Sequence, residues 1–103
     1  MYKLSFFVPE ANLEAVKSAV FATGAGKIGN YDRCCWSVLG TGQFRALPGS
    51  NPHVGEQNVV EQVAEWKVEL VCSDELIHQA VLAMKQAHPY EEPAYDVWKL
   101  ESF

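Results

Sequence analysis

Basic side chains are few in this sequence and nowhere clustered. Eight Lys and Arg stand against thirteen Asp and Glu, a formal charge of −5 over 103 residues. A nucleic-acid surface needs several cations facing the phosphates together, so no nucleic-acid partner is expected. Long apolar runs are also missing. The opening MYKLSFFVPE carries one lysine and meets an acidic residue too soon for a secretory leader or a membrane span, so no membrane partner is expected. Cysteine is scarce and odd in number, with Cys34 and Cys35 adjacent. Strand neighbours point to opposite faces, so that pair is not expected to bridge; reduced thiols and a cytoplasmic location follow. No H-x-H, H-E-x-x-H or C-x-x-C spacing is present. Ser5, Ser18 and Ser37 have no accompanying histidine pattern, so nothing argues for nucleophilic catalysis and an enzyme is not the expected class.

What is present is the length of one domain, residues 1–103. Tyr2 to Val8 reads as a strand with Leu4, Phe6 and Val8 on one face. Pro9 ends it, and Leu13, Val16 and Val20 then recur at helical spacing until Gly24 and Gly26. Tyr31 to Leu39 reads as a second strand, Gly40-Thr41-Gly42 as a turn, and Gln43 to Leu47 as a short returning strand. Pro48 to Asn58 is a long polar loop. Val63 to Cys72 alternates, with Trp66, Val68 and Leu70 together. Ser73 is a candidate N-cap for a second helix whose buried stripe is Ile77, Ala80, Val81 and Met84. Pro89 ends that helix, and a last strand runs from about Ala94 to Lys99. Strand, break and helix occur twice, each followed by another strand. The expected fold class is α+β, a ferredoxin-like βαββαβ sandwich with an extra short strand and a long polar loop.

The stretch AHPYEEPAYDV, Ala87 to Val97, gathers the most chemistry. One reading is a stiff helix-to-strand elbow. His88 precedes Pro89 and leaves the helical region, and Pro93 restricts Glu92, while Tyr90 and Tyr95 pack with their hydroxyls on polar partners. The sharper reading is a divalent-metal site of His88, Glu91 and Glu92 with Asp96 nearby. Cys34-Cys35 as a Cu(I) site competes with one thiol in the core and the other on the sheet's far face. His53 and His78 read as surface residues. Gly24, Gly26 and Gly29 leave backbone donors that, with Gly40–Gly42, could line a small anion pocket.

Four word strings, VPEANLEAV, GAGKIGNYDRCCW, GTGQFRALPGSNPHVGE and AHPYEEPAYDV, resemble in order and spacing the inserted domain of the Nif-three-like proteins, in its short YqfO-type form. HPYEEP is also similar to a stretch of CutA proteins. The resemblance implies a PII-like or CutA-like ferredoxin fold and, from CutA, a trimer. It also implies that the family's two-metal site and its GTP cyclohydrolase label belong to a larger surrounding domain, whose ligand motifs are absent from this sequence. The expected function is a non-enzymatic, self-associating module for a small ligand or partner. Its surface would combine Gly26, Gly29, Asn30 and Tyr31 with Gly40, Thr41 and Gly42 and with His88, Tyr90, Glu91 and Glu92. The two nominal helix exits are expected at one end of the sandwich. Divalent-cation (copper or zinc) binding and a metal-dependent hydrolase are the alternatives.

Overall fold

The computed structural model describes all 103 residues. Strand β1 (Tyr2–Val8) leads through a single 3-10 turn (Glu10–Asn12) into helix α1 (Leu13–Ala22). Strands β2 (Trp36–Arg45) and β3 (Val60–Cys72) follow, then helix α2 (Ile77–Ala87) and strand β4 (Tyr95–Lys99). The sheet order is β2-β3-β1-β4 and every pairing is antiparallel. This is the βαββαβ sandwich that the two similar halves dictate.

Alternation sets the core. Leu4, Phe6 and Val8 of β1 and Val68, Leu70 and Cys72 of β3 share one face and pack in one cluster with Val16 and Val20 of α1 and Ile77, Ala80 and Met84 of α2. Both helices therefore cover the same side of the sheet. Phe6, Leu4 and Met84 are fully enclosed; burying a side chain of that size contributes about 1.5–3 kcal/mol. No helix is long and apolar enough to cross a membrane.

Three expectations need correction. Gly40, Thr41 and Gly42 form no turn. They lie inside β2, which is one continuous strand paired from Trp36↔Glu69 to Arg45↔Val60. Between β2 and β3 the glycines with turn geometry are Gly49 (φ +98°) and Gly55 (φ +84°), in the loop after β2. The short returning strand from Gln43 is thus the end of β2, and β3 begins earlier than alternation indicates, at Val60. Ser73 donates no cap to α2. Its carbonyl instead accepts the Leu76 amide at 3.1 Å, and neighbouring Asp74 takes the terminal amine and Lys99 Nζ. Cys34 and Cys35 precede β2, half-buried and exposed; the buried thiol is Cys72, and all three are free. Neither member of the cysteine pair packs in the core.

Strand β1 pairs with β3 only as far as Val8↔Trp66. The rungs from Gly40↔Glu65 to Arg45↔Val60 continue without a third strand. This two-stranded arm lengthens the molecule to 46 Å along an axis where the other extents are 24 and 23 Å.

Candidate functional site

The elbow after α2 is held by His88. Its backbone N–H donates to Met84 O at 3.0 Å, the last helical bond. Its own backbone is extended (φ −75°, ψ 140°), as the following proline requires. The Tyr90 amide lies 3.1 Å from His88 Nδ1. An amide only donates, so Nδ1 is the accepting nitrogen and the proton sits on Nε2. Nε2 then donates to Phe7 O at 2.6 Å. Burial holds the His88 pKa below the usual histidine range, against the opposing pull of the Phe7 carbonyl and with a small further push from His53. A neutral ring with both nitrogens engaged is a strut tying the elbow to the end of β1.

That geometry does not favour the metal reading. A ligating imidazole needs a free lone pair, and His88 has none. The Glu91 carboxylate accepts the Asn51 amide at 3.0 Å, and no three His, Cys, Asp or Glu side chains converge anywhere in the chain. His88, Glu91 and Glu92 are adjacent in sequence without forming a ligand set.

The β2–β3 loop, residues 46–59, folds back against the elbow. Between them lies a cavity of about 400 Å³, with Phe44, Leu47, Pro52 and Val54 as apolar lining and Arg45, His53, Glu65, Tyr90, Glu91 and Glu92 as polar lining. Tyr90 of the lining lies between two imidazoles: its ring centroid is 4.9 Å from that of His88 and 5.9 Å from that of His53. Glu65 of β3 reaches across β2 at Gly42, where a Cβ would sit 1.7 Å from Glu65 Oε1 and 2.8 Å from Cδ. Glycine at 42 is what lets that carboxylate lie there. Burial raises the Glu65 pKa, offset in part by the Tyr90 hydroxyl. Burial, then the Glu65 charge, raises that of Tyr90. Tyr90 Oη is enclosed yet makes no hydrogen bond of normal geometry. Glu65 has no cationic partner within salt-bridge distance; the ion pairs of the molecule involve Glu14, Glu69 and Asp74.

Gly26, Gly29, Asn30 and Tyr31 lie elsewhere. Helices α1 and α2 run in opposite directions, so their exits are at opposite ends of the sheet. This corrects the expectation of a shared end. Gly26 N–H donates to Val71 O at 2.8 Å, beside the start of β1, which pairs Lys3 with Val71. Gly24 N–H donates to Phe21 O at 3.0 Å. Two of the three glycine amides expected to face an anion, those of Gly24 and Gly26, are spent on the backbone. Gly29 and Asn30 make a tight turn closed by two bonds between Ile28 and Tyr31. The expected composite surface therefore divides: Gly40, Thr41 and Gly42 stay at the end that holds His88, Tyr90, Glu91 and Glu92, and the first glycine group leaves it.

Sequence reasoning missed Glu65, Phe44 and Arg45 and set His53 aside as surface. Glu65 reads as an ordinary polar position of an alternating strand. Only the β2–β3 register, which sets Gly40 opposite it and Gly42 one alternate rung away, turns it toward the elbow.

No family model matches the chain. A Mycobacterium tuberculosis protein named "GTP cyclohydrolase 1 type 2 homolog" is 50% identical over 98 residues, 95% of this chain and 26% of that protein. The Bacillus subtilis protein of the same name is 39% identical over 99 residues, again 26% of its length. The chain thus spans about a quarter of the curated relatives it matches. The crystal structure of a Bacillus cereus protein related to NIF3 superposes on 98% of the chain with a TM-score of 0.84 at 39% identity, over 26% of that protein. The divalent cation tolerance protein CutA from Archaeoglobus fulgidus superposes on all of it with a TM-score of 0.71 at 12% identity, over 87% of that chain; a likeness at that identity shows a shared fold.

Proposed function

Along 95% of its length the chain is a relative of one segment of the Nif-three-like (YqfO) proteins, and from that premise we propose that it is a CutA/PII-like binding module for a small ligand. The observation that carries this reading is the cavity between the β2–β3 loop and the elbow. Ligand pockets combine an apolar wall with a few convergent polar groups, and this one has Glu65 and an unpartnered Tyr90 hydroxyl at its inner side. The name carried by the curated relatives describes chains of which this one spans about a quarter, so the activity it names is not extended to this segment. Divalent-cation binding through His88, Glu91 and Glu92 has no support in the geometry of the elbow.

Self-association is the second part of the proposal. Strand β2 is an edge strand; on it Trp36 and Leu39 are 62% and 53% exposed, and Val60 of β3, at the far end of the arm, is 55% exposed. A long apolar edge invites pairing with another copy, and the CutA resemblance supplies a trimer as the specific expectation. The test is mass in solution by sedimentation, together with thermal unfolding in the presence of small molecules of different charge. Trp36→Lys faces Glu69 across the rung, so the fold tolerates the charge while the edge becomes cationic, and the mass falls to that of a monomer. A strict monomer that no small molecule stabilises would overturn both parts.

A further inference from the structure

The chemistry of the cavity specifies what enters it. Its acidic groups come from two elements: Glu65 from β3 and Glu91 and Glu92 from the elbow. The opposing charge is Arg45 alone, on the exposed rim where solvent screens it. Inorganic phosphate or a carboxylate would meet a surplus of like charge. Glu65 is half-buried and has no cation partner, and Tyr90 Oη beside it is enclosed with lone pairs unused. The Tyr90 O–H can serve the Glu65 carboxylate as a donor; the carboxylate's remaining lone pairs and the phenolic oxygen then both accept, and what they lack is a donor carrying positive charge. The rings of Tyr90 and Phe44 add π faces, to which cations are attracted, and Leu47, Pro52 and Val54 offer an apolar wall for a short carbon body.

We infer that the cavity takes a small organic amine, its ammonium donating to the Glu65 carboxylate and the Tyr90 hydroxyl oxygen and its carbon chain lying against the apolar wall. This deepens the reading of the cavity as a ligand site and rests on it. The position of Gly42 belongs to the same device: without a side chain there, the Glu65 carboxylate is free to lie across β2 and face the elbow.

The test is backbone amide NMR of the full chain titrated with 1-aminobutane and 1,4-diaminobutane, beside 1-butanol and butyrate as the neutral and anionic probes. The amines shift the amides of Gly42, Glu65, Asn51 and Tyr90 in a saturable way, and butyrate does not. Glu65→Gln keeps the shape, removes the charge and weakens amine binding by at least about tenfold, as loss of a charge-assisted bond requires. Tyr90→Phe weakens it by about three- to tenfold. Circular dichroism confirms that each variant is folded, and Glu92→Gln, on the exposed side of the lining, gives a smaller loss. Saturable binding of butyrate at the same amides, or amine affinity unchanged by Glu65→Gln, would overturn the amine assignment and leave the cavity a ligand site. Silence from all four probes would overturn both.

Discussion

Replacing Gly42 with alanine separates the architecture of the arm from the chemistry it carries. The new Cβ would stand 1.7 Å from Glu65 Oε1 and 2.8 Å from its Cδ. Ordinary contact between such atoms is about 3.5 Å, so the carboxylate must retreat by roughly 2 Å. The obstructing atoms are the far end of a flexible side chain, so the backbone has no reason to move. An off-rotamer Glu65 would cost about 0.5–1.5 kcal/mol. Against this, alanine gains about 0.5–1 kcal/mol over glycine in a strand interior, chiefly by restricting the unfolded chain. The two nearly cancel, and urea unfolding should place Gly42→Ala within about 1 kcal/mol of the parent. The chemistry should change regardless. Expelled toward solvent, Glu65 loses the desolvation that raises its pKa, and Tyr90 loses the adjacent charge that raises its own. Side-chain carboxyl NMR across a pH titration should show the Glu65 midpoint falling toward the ordinary glutamate value, and the tyrosinate absorbance of Tyr90 should appear at lower pH. An unmoved Glu65 midpoint would refute the argument. So would a loss of stability above about 2 kcal/mol, which would mean that the strand itself had bent.

Three further outcomes follow from the elbow and the core. His88→Ala removes the bond to Phe7 O and opens space at the elbow, a loss of about 2–4 kcal/mol in urea unfolding. His88 also sets a pH dependence: its folded pKa lies below the unfolded 6.5, so the unfolded chain takes up the proton first. Its stabilising contribution is then complete above about 6.5 and is lost as pH falls through the folded value, and the variant should lack that slope. Met84→Ala empties a fully enclosed position under both helices and should cost about 2–5 kcal/mol by the same measurement, while leaving the Glu65 titration unchanged.

Local pattern alone determined much of this protein. Leu4, Phe6 and Val8 at alternate positions, Val16 and Val20 a turn apart, and Ile77, Ala80 and Met84 at helical spacing become the core, because a side chain's face follows from backbone periodicity without reference to distant residues. The repeat of strand and helix then leaves few ways to fold, and the sheet takes the expected one. The elbow was legible for the same reason, since each proline restricts the residue before it. What the sequence left open depends on which strand lies beside which. A glycine pair fits a turn or a strand equally well until a partner is known, and Gly40 and Gly42 proved to be strand because β3 runs alongside them as far as Val60. The direction of the helices, not their order in the chain, sent Gly26 and Tyr31 to one end and His88 to the other. The Glu65–Tyr90 pair joins residues on two elements, brought together by register and by a loop folding back. Only the tertiary structure decided that contact, because neither residue's local pattern carries any trace of the other.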